Sequence, residues 1–364
     1  VKEQLSRRYA GETVRLVVLR GRERLQRELE LARELQPYEH PFLGVLPVRE
    51  TPGAAERTAG VRVRYVYPDG PAGAGGVEAG DLLVGMDGEA MEEAGELRGR
   101  VSLLKPGDEV ELEVRRGEET LRLAFPLGRL PEELPPETLP RASAVDEAEK
   151  TAEPAGEGPQ VGSIELKIPE FENDVRAYVP EVHARGVPCG LIVWLHAPGR
   201  FDWDALLARW KPHCDRDGLI LLAPKSAGGK GWLMRELTLV EKLLEEVDST
   251  CAVDPTRSVG YGDQAGGRLA YLVGFRARAL VRAVVAADAP LTGRPPANDP
   301  LYRLALFTIR AEKSRHADEI DAGTVRLREM KYPVTVKDLG EKPRYLSRRE
   351  LSELLRWVDA LDRI

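Results

Sequence analysis

The sequence predicts a multidomain chain: a small α+β module, built as a β-sandwich with helices, followed by an α/β domain with a mostly parallel sheet. Three observations predict this. Residues 11–31 (GETVRLVVLRGRERLQRELEL) align without gaps on residues 107–127 (GDEVELEVRRGEETLRLAFPL), and each copy alternates apolar and polar residues on both sides of an Arg-Gly turn, the pattern of a β-hairpin. Residues 128–160 then turn rich in Pro, Ala and Glu. Beyond 161, short continuous apolar runs at 191–195 and 219–222 alternate with helically spaced segments, as expected for buried parallel strands and their crossover helices.

A length of 364 residues fits two or three domains at about 150 residues each. Lys+Arg 53 against Asp+Glu 60 leaves a net charge of −7 with no basic block, so a nucleic-acid partner is not expected. The longest apolar stretches fall far short of the roughly 18–20 residues that span a bilayer. Cys189, Cys214 and Cys251 are odd in number and scattered, which excludes a disulfide framework and close-spaced zinc patterns and suits buried apolar roles. No metal or cofactor is expected. The chain opens at Val1 without a basic-then-apolar leader and is expected to be a fragment or a processed product.

The expected organisation is a truncated module at 1–36, a complete one at 37–128, a linker at 129–160 and the α/β domain at 161–364. Only the second hairpin copy has a full domain in front of it: short strand 42–45, strand 61–66, a turn at Asp87-Gly88 and a helix near 93–103. The ordered set Gly70-Pro71-Ala72-Gly73, Gly76-Val77-Glu78-Ala79-Gly80-Asp81-Leu82 and Asp87-Gly88 resembles a PDZ domain of the HtrA protease type over about 90 residues. The first 36 residues resemble the tail of a second such domain. The linker holds too little apolar surface to offset its chain entropy and is expected to be semi-extended near its prolines.

Two motifs give the α/β domain its resemblance. Leu191-Ile192-Val193-Trp194-Leu195-His196-Ala197-Pro198-Gly199 resembles the strand and oxyanion loop of esterase-like α/β-hydrolases, with Ala197 where a glycine is usual. Gly262-Asp263-Gln264-Ala265-Gly266-Gly267 resembles their nucleophile elbow, Gly-x-Ser-x-Gly-Gly, with Gln264 at the serine. A carboxamide offers no proton to a base and forms no acyl-enzyme. Moving the register so that Asp263 attacks would place Tyr261 where the turn requires a small residue. By the same resemblance the acid turn has Ser314 at the aspartate, with Glu312 as a possible stand-in, and the histidine loop reads Gly340-Glu341-Lys342-Pro343, with no histidine after His316. Nucleophile, acid and base are all replaced at Gln264, Ser314 and Pro343, the pattern of a pseudoenzyme.

The other polar residues have ordinary readings. His196 follows a buried strand and suits a structural hydrogen bond, His213-Cys214 sits on an amphipathic helix without a metal partner, and His40 and His183 are expected at the surface. Ser347 with Glu350 is spaced as a capping box. In PDZ domains an added peptide strand ends with its carboxylate in a nest of backbone amides. The resemblance puts that nest at Phe42-Leu43-Gly44-Val45 and the opposite wall at Leu97 and Val101, one helical turn apart, which core packing would explain equally well.

The expected function is recognition of C-terminal or unfolded peptides by a PDZ domain joined to a catalytically dead α/β-hydrolase scaffold, the carboxy-terminal part of an HtrA-like serine protease. The resemblance implies a periplasmic or secreted setting, and leaves open an upstream protease domain and a homo-oligomer. Two alternatives remain: an active hydrolase or peptidase using Asp263 or Glu312 with His196, and a pseudo-hydrolase that binds a small ligand without turnover.

Overall fold

The computed structural model describes residues 8–20, 23–33, 36–49, 59–136, 139–140, 160–228 and 231–364. It divides into two compact units, 1–37 and 38–364. The first holds one antiparallel hairpin, β1 (Thr13–Arg20) on β2 (Glu23–Glu30), in the register Val14↔Leu29, Leu16↔Arg27, Val18↔Leu25. Val18, Leu19 and Leu29 stay exposed, because two strands alone bury neither face.

The second unit opens with a small antiparallel module. Its sheet runs β4 (Val45–Pro47), β5 (Val61–Val66), β6 (Leu82–Met86), β8 (Glu109–Arg116), β9 (Glu119–Pro126), with β7 (Glu89–Ala90) beside β6. β3 (Pro41–Phe42) pairs separately with β10 (Gly128–Arg129). Among the described residues two helices belong to it, the short α1 (Pro71–Ala74) and α2 (Ala94–Ser102), whose Leu97 and Val101 sink into a core with Leu43, Val45, Leu83 and Leu112. The Gly80-Asp81 pair has a structural reason: Gly80 takes φ 95°, and buried Asp81 then accepts from Glu78 N at 2.8 Å and from Arg116 Nε at 2.8 Å. Burial alone would raise its pKa, but the Arg116 hydrogen bond and the Glu78 amide outweigh burial and hold it low.

The α/β part has one eight-stranded sheet in the order β11 (Gly162–Leu166), β12 (Val175–Val179), β14 (Leu219–Pro224), β13 (Cys189–Leu195), β15 (Val253–Asp263), β16 (Ala283–Ala287), β17 (Ala305–Arg310), β18 (Val334–Asp338). β12 is antiparallel to both of its neighbours, and the strands from β14 to β18 are parallel. Helices α4 (Arg235–Thr250) and α5 (Ala265–Arg276) contribute buried side chains to the core on one face of the sheet; α3 (Trp203–Asp217) and α7 (Arg348–Asp359) do so on the other. A further helix, α6 (Ala317–Glu329), buries Ile320 and Leu327. α7 begins with the capping box expected at Ser347, whose Oγ accepts from Glu350 N while Glu350 Oε2 accepts from Ser347 N at 2.7 Å.

Of the expected linker, residues 137–138 and 141–159 lie outside the described residues. Its described beginning is anchored: Thr335 Oγ1 donates to Glu132 O at 2.6 Å, Arg363 donates to Pro131 O, and Leu134 packs on the α/β core. His40 and His183 are not surface residues, as the sequence suggested, but 5% and 2% exposed. His40 Nε2 meets Asn298 Oδ1 at 3.1 Å, a partner far away in sequence, and burial pushes its pKa down to about 3, so the ring is neutral.

Candidate functional site

The parallel strands β13 and β15 end side by side, Leu195 opposite Gly262, and the chain turns sharply there into α5. Gln264 occupies the turn at φ 50°, ψ −109°, a left-handed conformation that costs a non-glycine residue on the order of 1–3 kcal/mol. The flanking glycines are obligatory. A Cβ on Gly262 would stand 2.2 Å from Gly266 C, and one on Gly266 only 2.0 Å from Leu195 O. The elbow residue is thus Gln264, and Asp263 is still the last residue of the extended strand.

Gln264, Ala197 and Pro343 line one cleft of about 100 Å³, together with Asp288, Arg200 and Tyr345. Ser314 joins through Asp288, to which its Oγ donates, and Gln264 Nε2 lies 3.4 Å from the other Asp288 oxygen. Gln264, Asp288 and Ser314 therefore form a polar chain at the cleft that the His316 main-chain N–H joins at Ser314 Oγ, 3.1 Å away, and among the described residues no imidazole ring is bonded to it. Asp288, also left-handed at φ 49°, was not read from the sequence as a site residue. Glu312 is exposed.

His196 is buried with both ring nitrogens engaged, Nδ1 at 2.7 Å from Ala197 O and Nε2 accepting from Ser226 N at 2.9 Å. A backbone N–H can only donate, so Nε2 carries no proton and Nδ1 does. Burial also lowers the pKa. The ring is a fixed neutral strut with no lone pair facing the cleft.

Asp263 is 8% exposed, its Oδ2 has no hydrogen-bond partner, and burial raises its pKa to about 7, with Arg209 and Arg200 opposing and Asp288 adding to the rise. The folded state then holds this proton to higher pH than the unfolded chain, whose carboxyl titrates near 4, so stability falls as pH rises from about 4 to about 7 and levels off above. Asp263→Asn is expected to remove that slope. Its stability advantage over the wild type should grow from near zero at pH 4 to about 2 kcal/mol at pH 7.5, measured by urea unfolding, since relaxation around the buried charge offsets part of its cost. A constant difference across that range would mean that Asp263 ionises normally.

A second arrangement lies in the small module. β4 is an edge strand of its sheet, α2 lies near it, and Gly44 precedes it at φ 99°, where a Cβ would press on the Pro71 ring at 3.3 Å. Gly44 N and Val45 N both point at one acceptor, the main-chain oxygen of Ile364, at 2.9 and 3.4 Å. Leu43, Val45, Leu97 and Val101 belong to the same apolar cluster as Ile364. Phe42 stands apart from that cluster, edge-on to Tyr67 with ring centroids 5.2 Å apart. Neither Ile364 nor its neighbours stood out in the sequence, since no local pattern ties them to residues 43–45.

Among the described residues no group of three or more His, Cys, Asp or Glu is placed to hold a metal ion, and no helix is long and apolar enough to cross a membrane.

Residues 41–127 match the family model described as PDZ domain. The protein named probable periplasmic serine endoprotease DegP-like, from Ectopseudomonas mendocina, is 37% identical over 78 residues, 21% of this chain and 16% of the relative. The putative serine protease HhoB of Synechocystis is 28% identical over 109 residues, 26% of each. The chain thus spans only about a sixth to a quarter of the length of these relatives. Among solved structures, the HtrA3 PDZ domain bound to a phage-derived ligand is 29% identical over 25% of this chain and 86% of its own, with a TM-score of 0.22. A hyperthermophilic esterase from the archaeon Pyrobaculum calidifontis is 13% identical, covers 60% of this chain and 88% of its own, and has a TM-score of 0.43, which says nothing about chemistry. The sheet order and the left-handed elbow fit that fold class by themselves. Residues 41–127 are an HtrA-type PDZ domain, and the C-terminal region has the sheet order and strand-to-helix elbow of an α/β-hydrolase fold.

Proposed function

We propose that this chain recognises peptide chain ends through its PDZ groove and that the α/β-hydrolase-like region is a catalytically silent scaffold for that groove. One observation carries the reading: the residue in the elbow conformation is Gln264, whose amide can neither attack a carbonyl nor be activated, and the only imidazole by the oxyanion loop among the described residues, His196, has no free nitrogen. The groove reading is supported by the converging Gly44 and Val45 amides, which form a nest suited to an anion. Phe42, Leu43, Gly44, Val45, Leu97 and Val101 are proposed as its residues, the hairpin at 13–30 as the remnant of a second PDZ unit, and 129–160 as the connection to the 161–364 domain. Because the relatives are named as periplasmic and serine proteases, we also propose an envelope or secreted setting and a protease-bearing parent.

Peptides ending in Val, Leu or Ala should bind at least tenfold more tightly with a free carboxylate than as amides, since a charge-assisted nest contact contributes about 1.5–3 kcal/mol. Equal affinities would overturn the reading. The titration belongs on a chain whose groove is open, as argued below.

The small-ligand alternative keeps one specific observation. A cavity of about 410 Å³ lined by Trp194, Phe201, Trp210 and Tyr261, with Arg200 and Arg209 at its polar side, adjoins the elbow cleft through Arg200 and Tyr345. Its lining suits an aromatic carboxylate. A concentration-dependent rise in Tm with benzoate or cinnamate, without product, would support this reading, and no shift at millimolar ligand would remove it.

A further inference from the structure

We infer that the chain carries its own ligand for the PDZ groove. Residues 361–364 occupy it in cis and keep it closed to other peptides. This rests on the groove reading proposed above and concerns its regulation.

Ile364 N donates to Val45 O at 3.0 Å and Val45 N donates back to Ile364 O at 3.4 Å. Two residues that exchange both bonds form one hydrogen-bonded step of an antiparallel ladder, so Ile364 extends the sheet beyond the open edge of β4. The Gly44 amide adds a third bond, the second one to the Ile364 oxygen, at 2.9 Å. The Ile364 side chain is 1% exposed and packs within the module's own core cluster, not the α/β core. This is the strand addition a trans peptide would make, at the same amides and the same apolar pocket.

The segment leading to Ile364 is clamped from two sides. Arg98 of α2 donates to Asp362 O at 3.2 Å. Arg303, just before β17, donates to Leu361 O at 2.6 Å and Arg363 O at 2.8 Å. Asp362 is further held by Arg49 at 2.8 Å and Arg64 at 3.4 Å, both from the PDZ domain. These contacts fix the approach of the main chain, so Ile364 is presented to the groove with little freedom left to lose.

A tethered ligand acts at an effective concentration on the order of 1 mM, so for a peptide that binds the open groove at about 10 μM the cis segment should weaken apparent affinity about 100-fold. The test uses the full chain as wild type, Ile364→Asp and Arg303→Ala. Ile364→Asp puts a charge into the pocket. Arg303→Ala loosens the clamp and leaves the groove side chains intact, covering the case in which the first variant folds poorly. The probes are a fluorescein-labelled synthetic peptide of residues 357–364 and one ending in Val, read by anisotropy, with amide exchange of Gly44 and Val45 read by NMR. Expected are protected amides and weak binding in wild type, and fast-exchanging amides with roughly 100-fold tighter binding in at least one variant. If wild type binds the probes within threefold of both variants, or if the amides stay protected in both, cis occupancy is overturned. If the amides open but the Val peptide binds no better than its amide, cis occupancy stands and the recognition reading fails.

Discussion

Replacing Arg64 by alanine is expected to destabilise the fold by about 3–5 kcal/mol, the range that follows when one partner of a buried charge network is removed and the others stay behind. Arg64 arises on β5, and its side chain is 3% exposed. Its guanidinium donates to Pro47 O at 3.0 Å, Pro140 O at 2.8 Å and Asp359 Oδ2 at 2.9 Å, and reaches Asp362 Oδ1 at 3.4 Å. Arg49 joins the same two carboxylates and lies 3.6 Å from Asp254, which Arg257 pairs at 2.8 Å. Burial pushes the Asp359 carboxyl up, but Arg49 and Arg64 outweigh it and hold the group ionised below its ordinary range. Without Arg64, the Asp362 carboxyl, whose side chain is 3% exposed, keeps the Arg49 pair but loses a buried donor that nothing replaces. The measurement is the urea midpoint and slope of wild type against Arg64→Ala and Arg64→Ala/Asp362→Ala. The double variant should recover part of the loss, because the stranded charge goes with it. A loss below about 1 kcal/mol would place the network with solvent-screened surface pairs. The network ties β5 to the end of α7, so it also sets where Ile364 lies.

What the sequence made legible was local. The elbow could be read because its requirement for small residues is satisfied within five positions, Gly262 to Gly266, by backbone contacts that leave no room for a Cβ. The Gly80-Asp81 turn and the Ser347 cap are short-range in the same way. The two antiparallel strands β11 and β12 were missed because each is only five residues long and is interrupted by a charge, Glu165 or Arg176, beside Pro- and Glu-rich sequence, so neither has the continuous apolar run of the central strands. The start of helix α6 at Ala317 is hard to read because its first turn is acidic, with Asp318 and Glu319, and suits the helix dipole without adding to an apolar period. His40, Asp288 and Ile364 were out of reach for a different reason. Each owes its role to a partner the fold brings from far along the chain: Asn298, Ser314 and Val45. No spacing rule encodes such pairs.

Restoring serine at the elbow is expected not to restore turnover. An intact triad site accelerates acyl transfer by at least about 10⁶-fold, whereas a site lacking its triad retains at most about 10³–10⁴ over water from amide donors and binding. Gln264→Ser would place a hydroxyl at the elbow, but the polar residues lining the cleft around it include Asp263, Asp288, Arg200 and Tyr345, with Ser314 joined through Asp288, and none of these is an imidazole. Asp288 already accepts from Ser314, and carboxylates in general are weaker bases than the imidazole that takes the serine proton in a triad. His196 cannot swing in without surrendering the Ser226 amide and the Ala197 carbonyl, two buried bonds at about 1 kcal/mol each beyond the packing they hold. Wild type, Gln264→Ser and Gln264→Ala should therefore hydrolyse p-nitrophenyl acetate and butyrate at rates within a few-fold of one another. A rise of 100-fold or more in Gln264→Ser, about 2.7 kcal/mol of transition-state stabilisation, would reveal a base that reaches the elbow. Turnover by wild type that Gln264→Ala abolishes would make the chain a hydrolase, and the scaffold reading would fall with it.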